Sequence, residues 1–491
     1  MATSTAFLFF SFTSLFSLFS VLVFISRMKP WCNCNTCRGY LTKSWTNTFT
    51  NFCDWFTHLL KNSPTGTIHV HVVGNIITSN PKNVEYILKT RFDNYPKGKP
   101  FSTLLSDLLG RGIFNVDGDS WKFQRKLASL ELGSVAIRSY AFDTVIDEIK
   151  TRLIPVLASK ARDNTERRDV LDLQDILRRF SFDVTCKFSF GTDPACLLPS
   201  LPSSNFAEAF DLASKISAER GMAALPIIWK MKRFFKIGSE KKLSEAINVI
   251  NDLAYDIIKQ RRKMGFASKK DLLSRFMGSV SDDDKYLRDI VISFLLAGRD
   301  TVSASLAGFF TILSKNPKVE ELIREEVNRV NPVQEYPTFD ELRQMHYLNA
   351  AIHESIRLFP PVQNDSKFAE EDDVLPDGTV VKKGDRVSYH PYAMGRMENI
   401  WGLDCLEFKP ERWLKDGAFM PEDPFKYPVF QAGSRICLGK EMALMNMKSV
   451  VAALVPRFDI RMVRPDYEPR FTPGLTACFR GGLPVKVYAR K

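Results

Sequence analysis

A cysteine between two glycines, Cys437, constrains this chain more than any other feature. It lies in residues 430–443, FQAGSRICLGKEMA, and a helical pattern follows it directly. At a helix N-terminus a thiol receives free N–H groups and the positive end of the helix dipole, which lower its pKa. Gly433 and Gly439 give backbone freedom and let a flat ligand approach, and Arg435 is suited to a carboxylate on that ligand. A lone cysteine would indicate a buried structural thiol, whereas the whole segment predicts a liganded thiolate.

The N-terminal segment from Ala6 to Ile25 contains no charged residue. Its length is about that of a helix that crosses the hydrocarbon core of a bilayer. Basic residues follow it and none precedes it, which places the downstream chain in the cytosol and argues against a cleaved signal peptide. We predict a transmembrane signal anchor over 6–26, a linker over 27–63 and one folded domain over 64–491.

The nine cysteines are irregularly spaced, which indicates a reducing compartment rather than a disulfide framework. Cys32, Cys34 and Cys37 follow the predicted anchor. Three thiols offer metal ligands, but a structural zinc site takes four and no fourth is evident. Palmitoylation is an alternative, and an unpaired polar linker is the simplest interpretation.

A formal net charge of +12 favours acidic partners or an anionic membrane surface. The basic residues are spread along the chain without zinc-finger spacing or a basic arm, so no nucleic acid is predicted as a partner.

The pattern of the body predicts one mostly helical domain with small sheets. Alternation from Thr67 predicts a strand in which His69 and His71 share a solvent-facing side. Further elements are predicted toward the C-terminus, namely strands at Thr379–Lys382, Arg386–Tyr389 and Gly482–Tyr488 and a helix at Lys440–Val455.

The segment Asp289–Leu313 is a long apolar helix candidate. One interpretation is a second membrane span, but Arg299 and Asp300 lie at its middle, where each charge costs roughly 2.5–3.5 kcal/mol of insertion free energy. We therefore predict a helix buried in the core. Within it, the Thr301 hydroxyl is expected to donate to the carbonyl of Ala297, four residues earlier.

The cysteine segment matches Phe-x-x-Gly-x-Arg-x-Cys-x-Gly, so the chain resembles the cytochromes P450, whose haem-binding signature this is. Four more motifs of that family follow its order, namely WKFQR at 121–125, AGRDT at 297–301, ESIR at 354–357 and PERW at 410–413. The last has Trp in place of the usual Phe. The resemblance covers the chain from about Pro64 onward and implies the cytochrome P450 fold.

The resemblance implies haem b with its iron bound by the Cys437 thiolate, O2 as co-substrate, and NADPH as electron source through a cytochrome P450 reductase. It implies that Thr301 delivers a proton to bound oxygen and that Asp300 links Thr301 to solvent. Haem and oxygen contacts are implied for Trp121, Arg125, Arg435, Lys367, Gly433, Gly439, Ala297 and Gly298, the last making space for dioxygen.

Glu354 and Arg357 share a helix face because they are three residues apart. Such a pair on a surface contributes little stability. The resemblance implies a charged triad with Arg412 instead.

A basic face of Lys122, Lys126, Lys440 and Lys448 is predicted to dock the reductase.

Three further stretches resemble plant fatty-acid ω-hydroxylases, namely YAMGRME at 392–398, GKEMA at 439–443 and GGLPV at 481–485. Within that branch, residues 128–134 and 360–367 look most like the enzyme that oxidises 12-hydroxy-jasmonoyl-isoleucine to its 12-carboxy form. The implied substrates are small amphipathic carboxylic acids: jasmonoyl-isoleucine conjugates, fatty acids or both.

Several alternatives stay open from sequence. A fatty-acid ω-hydroxylase that makes hydroxy and dicarboxylic acids for cutin-type lipids is one, and a tethered non-enzymatic protein is another. A hydroperoxide-rearranging relative is disfavoured by Thr301 and by the uninterrupted cysteine segment.

The anchor and the resemblance imply a single-pass protein of the endoplasmic reticulum membrane with its catalytic domain in the cytosol. Candidate pocket residues are Phe101, Phe114, Ser303 and Phe479.

Overall fold

The computed structural model describes residues 32–490 apart from 162–169, 203, 266–270, 281–282, 333–335, 465 and 467. The predicted anchor over 6–26 lies outside the described residues. Within them the chain is mostly helical with small sheets, as predicted.

The helices form most of the body. In chain order they are α1 (Asn35–Thr42), α2 (Phe52–Lys61), α3 (Pro81–Glu85), α4 (Gly98–Leu109), α5 (Gly118–Leu132), α6 (Val135–Glu148), α7 (Ile154–Ala161), α8 (Leu173–Phe190), α9 (Asn205–Gly221), α10 (Pro226–Phe235), α11 (Gly238–Met264), α12 (Leu272–Ser279), α13 (Asp284–Leu295), α14 (Thr301–Leu313), α15 (Pro317–Val330), α16 (Phe339–Gln344), α17 (His346–Leu358), α18 (Pro391–Met394), α19 (Glu398–Trp401) and α20 (Lys440–Leu454).

The strands are short. They are β1 (Thr67–Val70), β2 (Asn75–Thr78), β3 (Leu171–Asp172), β4 (Asp365–Phe368), β5 (Asp373–Val374), β6 (Val380–Val381), β7 (Arg386–Tyr389), β8 (Leu414–Lys415), β9 (Ala418–Phe419), β10 (Phe458–Met462) and β11 (Pro484–Ala489). The largest sheet has the order β1-β2-β7-β4, with β2 and β7 parallel and the other pairs antiparallel. The predicted strand at His69 ends at Val70 and His71 begins a turn, but the rings of the two histidines still lie side by side, with their centres 3.9 Å apart.

The segment predicted as a linker, 27–63, is folded from Asn35 onward. Helices α1 and α2 pack against β1, β2 and α18 through an apolar cluster that includes Cys37, Trp55 and Phe56. The folded part of the chain therefore starts well before residue 64. The apolar residues of 52–60 recur at helical spacing, so the sequence did carry the signal of helix α2.

The sulfurs of Cys32, Cys34 and Cys37 lie within 4.8 Å of one another. Cys37 is buried and its thiol pKa is raised to about 12, chiefly by burial. The unpaired polar linker expected here is therefore not what the structure describes, because part of the segment is packed core.

The predicted buried helix runs through the middle of the domain as α13, a π-helical turn at Leu296–Asp300, and α14. Among the described residues, Asp284–Leu313 is the one helical run long and apolar enough to cross a membrane, and it is mostly buried inside the protein. A helix that is apolar on all sides is typical of a protein core. Its buried Arg299 is ion-paired with Asp300 and Asp211 at 2.7 and 2.9 Å.

The motifs ESIR and PERW meet around one buried carboxylate. Glu354 on α17 receives two hydrogen bonds from Arg357, both 2.7 Å long, and one from Arg412 at 3.3 Å. The indole of Trp413 donates to the same carboxylate at 2.9 Å. Arg357 also donates to the carbonyls of Cys405 and Glu407. One carboxylate thus ties α17 to the loop that leads toward Cys437.

We expect Glu354→Gln to lower the free energy of unfolding by about 3–5 kcal/mol, because it leaves the fully buried guanidinium of Arg357 without its counter-charge. Urea unfolding followed by circular dichroism would measure the change. The matched control is Glu321→Gln, which removes the carboxylate of an exposed pair with Arg324 and should leave the midpoint almost unchanged. Equal effects of the two substitutions would contradict the structural role of the cluster.

Candidate active site

A cavity of about 510 Å³ joins the Cys437 loop to the middle of the core helix. Its lining includes Cys437, Ala297, Gly298 and Thr301. The motifs that lie 140 residues apart in the sequence therefore meet at one place. The rest of the wall is mainly apolar and includes residues of α4, α5, α8, α9 and β7 and of the segment before β4.

The Cys437 loop closes on itself before α20 begins. The Cys437 backbone N–H donates to the Phe430 carbonyl at 2.8 Å, and that of Ile436 donates to Gly433 at 3.2 Å. The sulfur is accessible from the cavity, but protein surrounds it otherwise, so burial raises the pKa of the Cys437 thiol. The Gly439 N–H and the charges of Arg125 and Lys440 act in the opposite direction.

The helix N-terminus therefore does not by itself produce the thiolate that the sequence predicts, because burial has the larger effect. A bound metal ion deprotonates a coordinating thiol outright. The ligand, rather than the helix, is what makes this sulfur a thiolate.

The backbone freedom predicted for the loop glycines is observed at Gly433. Gly433 has a φ of +60° and lies against the carbonyl of Leu88, where a Cβ atom would collide with the backbone. It is therefore also needed for packing within the protein. A Cβ on Gly439 would lie 3.9 Å from the Cys437 sulfur, an ordinary contact distance.

Three predicted ligand contacts cluster beside the loop. The Arg435 guanidinium lies 4.5 Å from the ring centre of Trp121 and is ion-paired with Asp117 at 2.5 Å. Its Nε is buried and has no hydrogen-bond partner in the described part of the chain. Arg125 donates to the carbonyl of Ile436 at 2.8 Å. A buried, unsatisfied donor beside an accessible cysteine fits haem, whose propionates would accept from Arg435 while its iron binds Cys437.

Lys367 also lines the cavity, but it is already paired. Its ammonium lies 3.0 Å from Asp365, and Lys97 lies 2.5 Å from the other oxygen of that carboxylate. Burial lowers the pKa of Lys367 to about 7. The shared carboxylate also accepts from Tyr389 and from Gln431 of the cysteine segment. Lys97 was not predicted at this site, whereas Asp365 and Lys367 stand two apart on a strand and so share a face.

The π-helical turn places the predicted oxygen-side residues at the cavity. The Thr301 hydroxyl donates to the Ala297 carbonyl at 2.6 Å, the bond expected from the sequence. Single π-helical turns are frequent at functional sites. Gly298 was predicted to leave space for dioxygen. A Cβ atom at this position would also collide with the Thr185 hydroxyl, at 2.5 Å. The glycine thus allows α8 to approach the core helix closely.

Asp300 is turned away from the cavity lining and into an ion-pair network. Its carboxylate binds Arg299, which binds Asp211, and Asp211 also binds Arg178 at 2.8 Å. Burial raises the pKa of Asp300, while Arg299 opposes that rise. Because the Asp211 side chain is 38% exposed, the network leads from the core helix to the surface.

The remaining candidates divide between the cavity and the packed core. Phe101 and Phe114 line the cavity. Ser303 is instead bonded to the Arg299 carbonyl at 2.8 Å, and Phe479 packs in the core. Lys448 is largely buried and donates to the Leu342 carbonyl at 2.8 Å. It is therefore not part of the exposed docking face that was predicted to include it.

We expect Arg435→Gln to speed the loss of haem by about tenfold or more, the value of a hydrogen bond to a charged group. Transfer of haem to excess apomyoglobin would measure the rate. Arg461→Gln removes an exposed guanidinium paired with Asp459 and should not change it. An unchanged rate in Arg435→Gln would contradict the propionate contact.

Comparison with known proteins agrees with this geometry. The family model for cytochrome P450 matches residues 40–479. The chain is 59% identical to cytochrome P450 94C1 of Arabidopsis thaliana over 98% of each chain. It is 50% identical to cytochrome P450 94B3 of Arabidopsis thaliana over 89% of this chain and 87% of the relative, and 46% identical to cytochrome P450 94A1 of Vicia sativa over 89% and 86%.

Such coverage extends far beyond the cysteine segment. It includes the core helix and the buried Glu354 cluster, both of which lie inside the matched residues. The chain therefore belongs to the cytochrome P450 family, as a haem-thiolate monooxygenase that uses O2 and electrons from NADPH.

Proposed function

We propose that the protein oxidises the terminal carbon of amphipathic carboxylic acids, namely jasmonoyl-isoleucine and 12-hydroxy-jasmonoyl-isoleucine, fatty acids or both, and thereby acts in jasmonate catabolism. The reaction proceeds from methyl or alcohol to aldehyde and acid. The observation that carries the proposal is that Cys437 and Thr301 line one cavity whose remaining wall is mainly apolar. An apolar wall favours an alkyl or alkenyl end near the reacting centre.

The choice of substrate is supported by the residues of the 360–367 segment. This segment resembles the enzyme that oxidises 12-hydroxy-jasmonoyl-isoleucine, and most of it lines the cavity, including Pro361, Val362, Asn364 and Ser366. Ala128, at the start of the other resembling segment, lines it as well. Residues in such positions are able to influence which substrate fits.

When bound, haem supplies the oxidant, and its cysteine ligand donates electron density that favours O–O cleavage. The chain provides position and protons. Thr301 holds a hydroxyl at the cavity wall, bonded to Ala297. The role proposed for Asp300 is to link this region to solvent, since Arg299 joins its carboxylate to that of the partly exposed Asp211. The protein's contribution is thus orientation, proton supply and an apolar enclosure.

The proposed setting is the endoplasmic reticulum membrane, with the predicted anchor over 6–26 in the bilayer and the domain in the cytosol. Electrons come from the NADPH–cytochrome P450 reductase that serves the family. Lys122 and Lys126 are exposed on α5, whose inner face carries Trp121 and Arg125. They remain suitable for docking an acidic partner surface.

Incubation of the protein with reductase and NADPH tests the proposal. We expect 12-hydroxy-jasmonoyl-isoleucine to give the 12-carboxy product and lauric acid to give ω-oxidised products, identified by mass spectrometry. Oxidation of fatty acids alone would favour the cutin-type alternative. Turnover of a fatty-acid hydroperoxide without NADPH, with no ω-oxidation, would contradict the proposal.

We expect Thr301→Ala to lower the product formed per NADPH oxidised by roughly tenfold or more, because a positioned proton donor contributes at least that much to a rate. Thr301→Ser should retain most of the coupling. Thr311→Ala is the matched control, since its buried hydroxyl bonds to Ala307 on the same helix at 2.7 Å. Equal coupling in the Thr301 and Thr311 variants would exclude the assigned role.

A further inference from the structure

An arginine that the sequence motifs do not include, Arg386, lines the cavity at the first residue of β7. One of its terminal nitrogens donates to the carbonyl of Gly221, the last residue of α9, at 2.7 Å. The Tyr40 hydroxyl donates to the next carbonyl, that of Met222, at 2.6 Å. Arg386 thus lies where the N-terminal helices, the large sheet and the end of α9 meet.

Two cations of the cavity, Arg386 and Arg125, have no ion-pair partner in the described part of the chain, and Arg125 lies beside Cys437, where it donates to the Ile436 carbonyl. Lys97 and Lys367 share Asp365, and Arg435 is paired with Asp117. No carboxylate lies within ion-pair distance of Arg386 in the described part of the chain, and its Nε is buried without a hydrogen-bond partner there. A buried guanidinium with an unused donor is costly unless a ligand completes it.

A second unsatisfied donor lies on the same wall. The Ser217 hydroxyl on α9 is buried, lines the cavity and has no hydrogen-bond partner among the described residues. It stands four residues before Gly221, so the two positions are neighbours on one helix face. Ser217 and Arg386 therefore present unused hydrogen-bond donors to one region of the cavity.

The strand separates this region from the Cys437 loop. At the other end of β7, Tyr389 bonds to Gln431 of the cysteine segment and to Asp365. Arg386 and Tyr389 are three residues apart along the strand, which corresponds to about 10 Å. A molecule with a carboxylate at Arg386 would therefore extend along the strand and place its far end toward Cys437 and Thr301.

We propose that Arg386, assisted by Ser217, binds the carboxylate of the substrate and so directs oxidation to the opposite end of the chain. Guanidinium and carboxylate match in charge and geometry. The proposal rests on the proposed function, since it assigns the end of the substrate that is not oxidised. It explains how one site accepts conjugates and fatty acids, because both carry the same anionic group.

Ligand binding to the haem-loaded protein, without NADPH or reductase, tests the proposal. Lauric acid, methyl laurate and dodecanol share an alkyl chain, and only the first is an anion. In the unmodified protein we expect the acid to bind more tightly than the ester or the alcohol. In Arg386→Gln the acid should bind about 10- to 100-fold more weakly, while the affinities of the two neutral ligands change less than about threefold.

Three further measurements serve as controls and as an independent check. The spectrum of the reduced, carbon-monoxide-bound protein shows whether each variant retains its haem. Lys382→Gln removes an exposed cation paired with Asp372 outside the cavity and should leave all three affinities unchanged. Ser217→Ala removes only a hydroxyl and should weaken binding of the acid alone, by about threefold or more.

An equal loss of affinity for acid, ester and alcohol in Arg386→Gln would show that Arg386 only supports α9, and would overturn the proposal. So would equal affinities of the three ligands in the unmodified protein, a result that needs no variant. Because binding is measured without turnover, an enzyme that binds the acid selectively but oxidises no terminal carbon would contradict the proposed function and not the anchor.

Discussion

The position of the Cys437 loop depends on contacts from four distant parts of the chain, and the active site depends on that position. Gly433 packs against the carbonyl of Leu88, and Gln431 binds Tyr389 and Asp365 from the large sheet. Arg435 is held by Asp117 and Arg125 binds the Ile436 carbonyl. The sulfur needs such support because an accessible cysteine in a cavity wall has no packing of its own to fix it.

Three buried clusters are arranged so that one group serves two opposite charges. Glu354 binds Arg357 and Arg412, Asp365 binds Lys97 and Lys367, and Arg299 binds Asp300 and Asp211, as set out above. Sharing of this kind satisfies more of the donors that burial removes from water. Arg386 has no ion-pair partner in the described part of the chain and keeps an unused buried donor, which is the reason that it stands out as a ligand contact.

The features that could be predicted from the sequence are those that depend on neighbouring residues or on a sequence motif. The Thr301–Ala297 hydrogen bond follows from helix spacing, and strand β7 was predicted at its observed bounds. The packing of Gly298 against Thr185 and of Gly433 against Leu88 was not predictable, because each involves a partner more than 100 residues away. The same holds for Lys97 beside Asp365, since the charges of the two residues say nothing about their distance in the fold. Helix α2 within 27–63 was missed although its apolar residues recur at helical spacing. The sheet that it covers lies outside that segment and was not predictable from it.

The central claim is that Cys437 faces a haem-sized cavity as the thiolate ligand of iron. The absorption spectrum of the reduced, carbon-monoxide-bound protein tests it most directly, with Cys437→Ser beside the unmodified protein and Cys478→Ser as a control. The account predicts the Soret band of thiolate-ligated haem in the unmodified protein and in Cys478→Ser, and its loss in Cys437→Ser. A thiolate-type band that persists in Cys437→Ser, or its absence from the unmodified protein loaded with haem, would contradict the account.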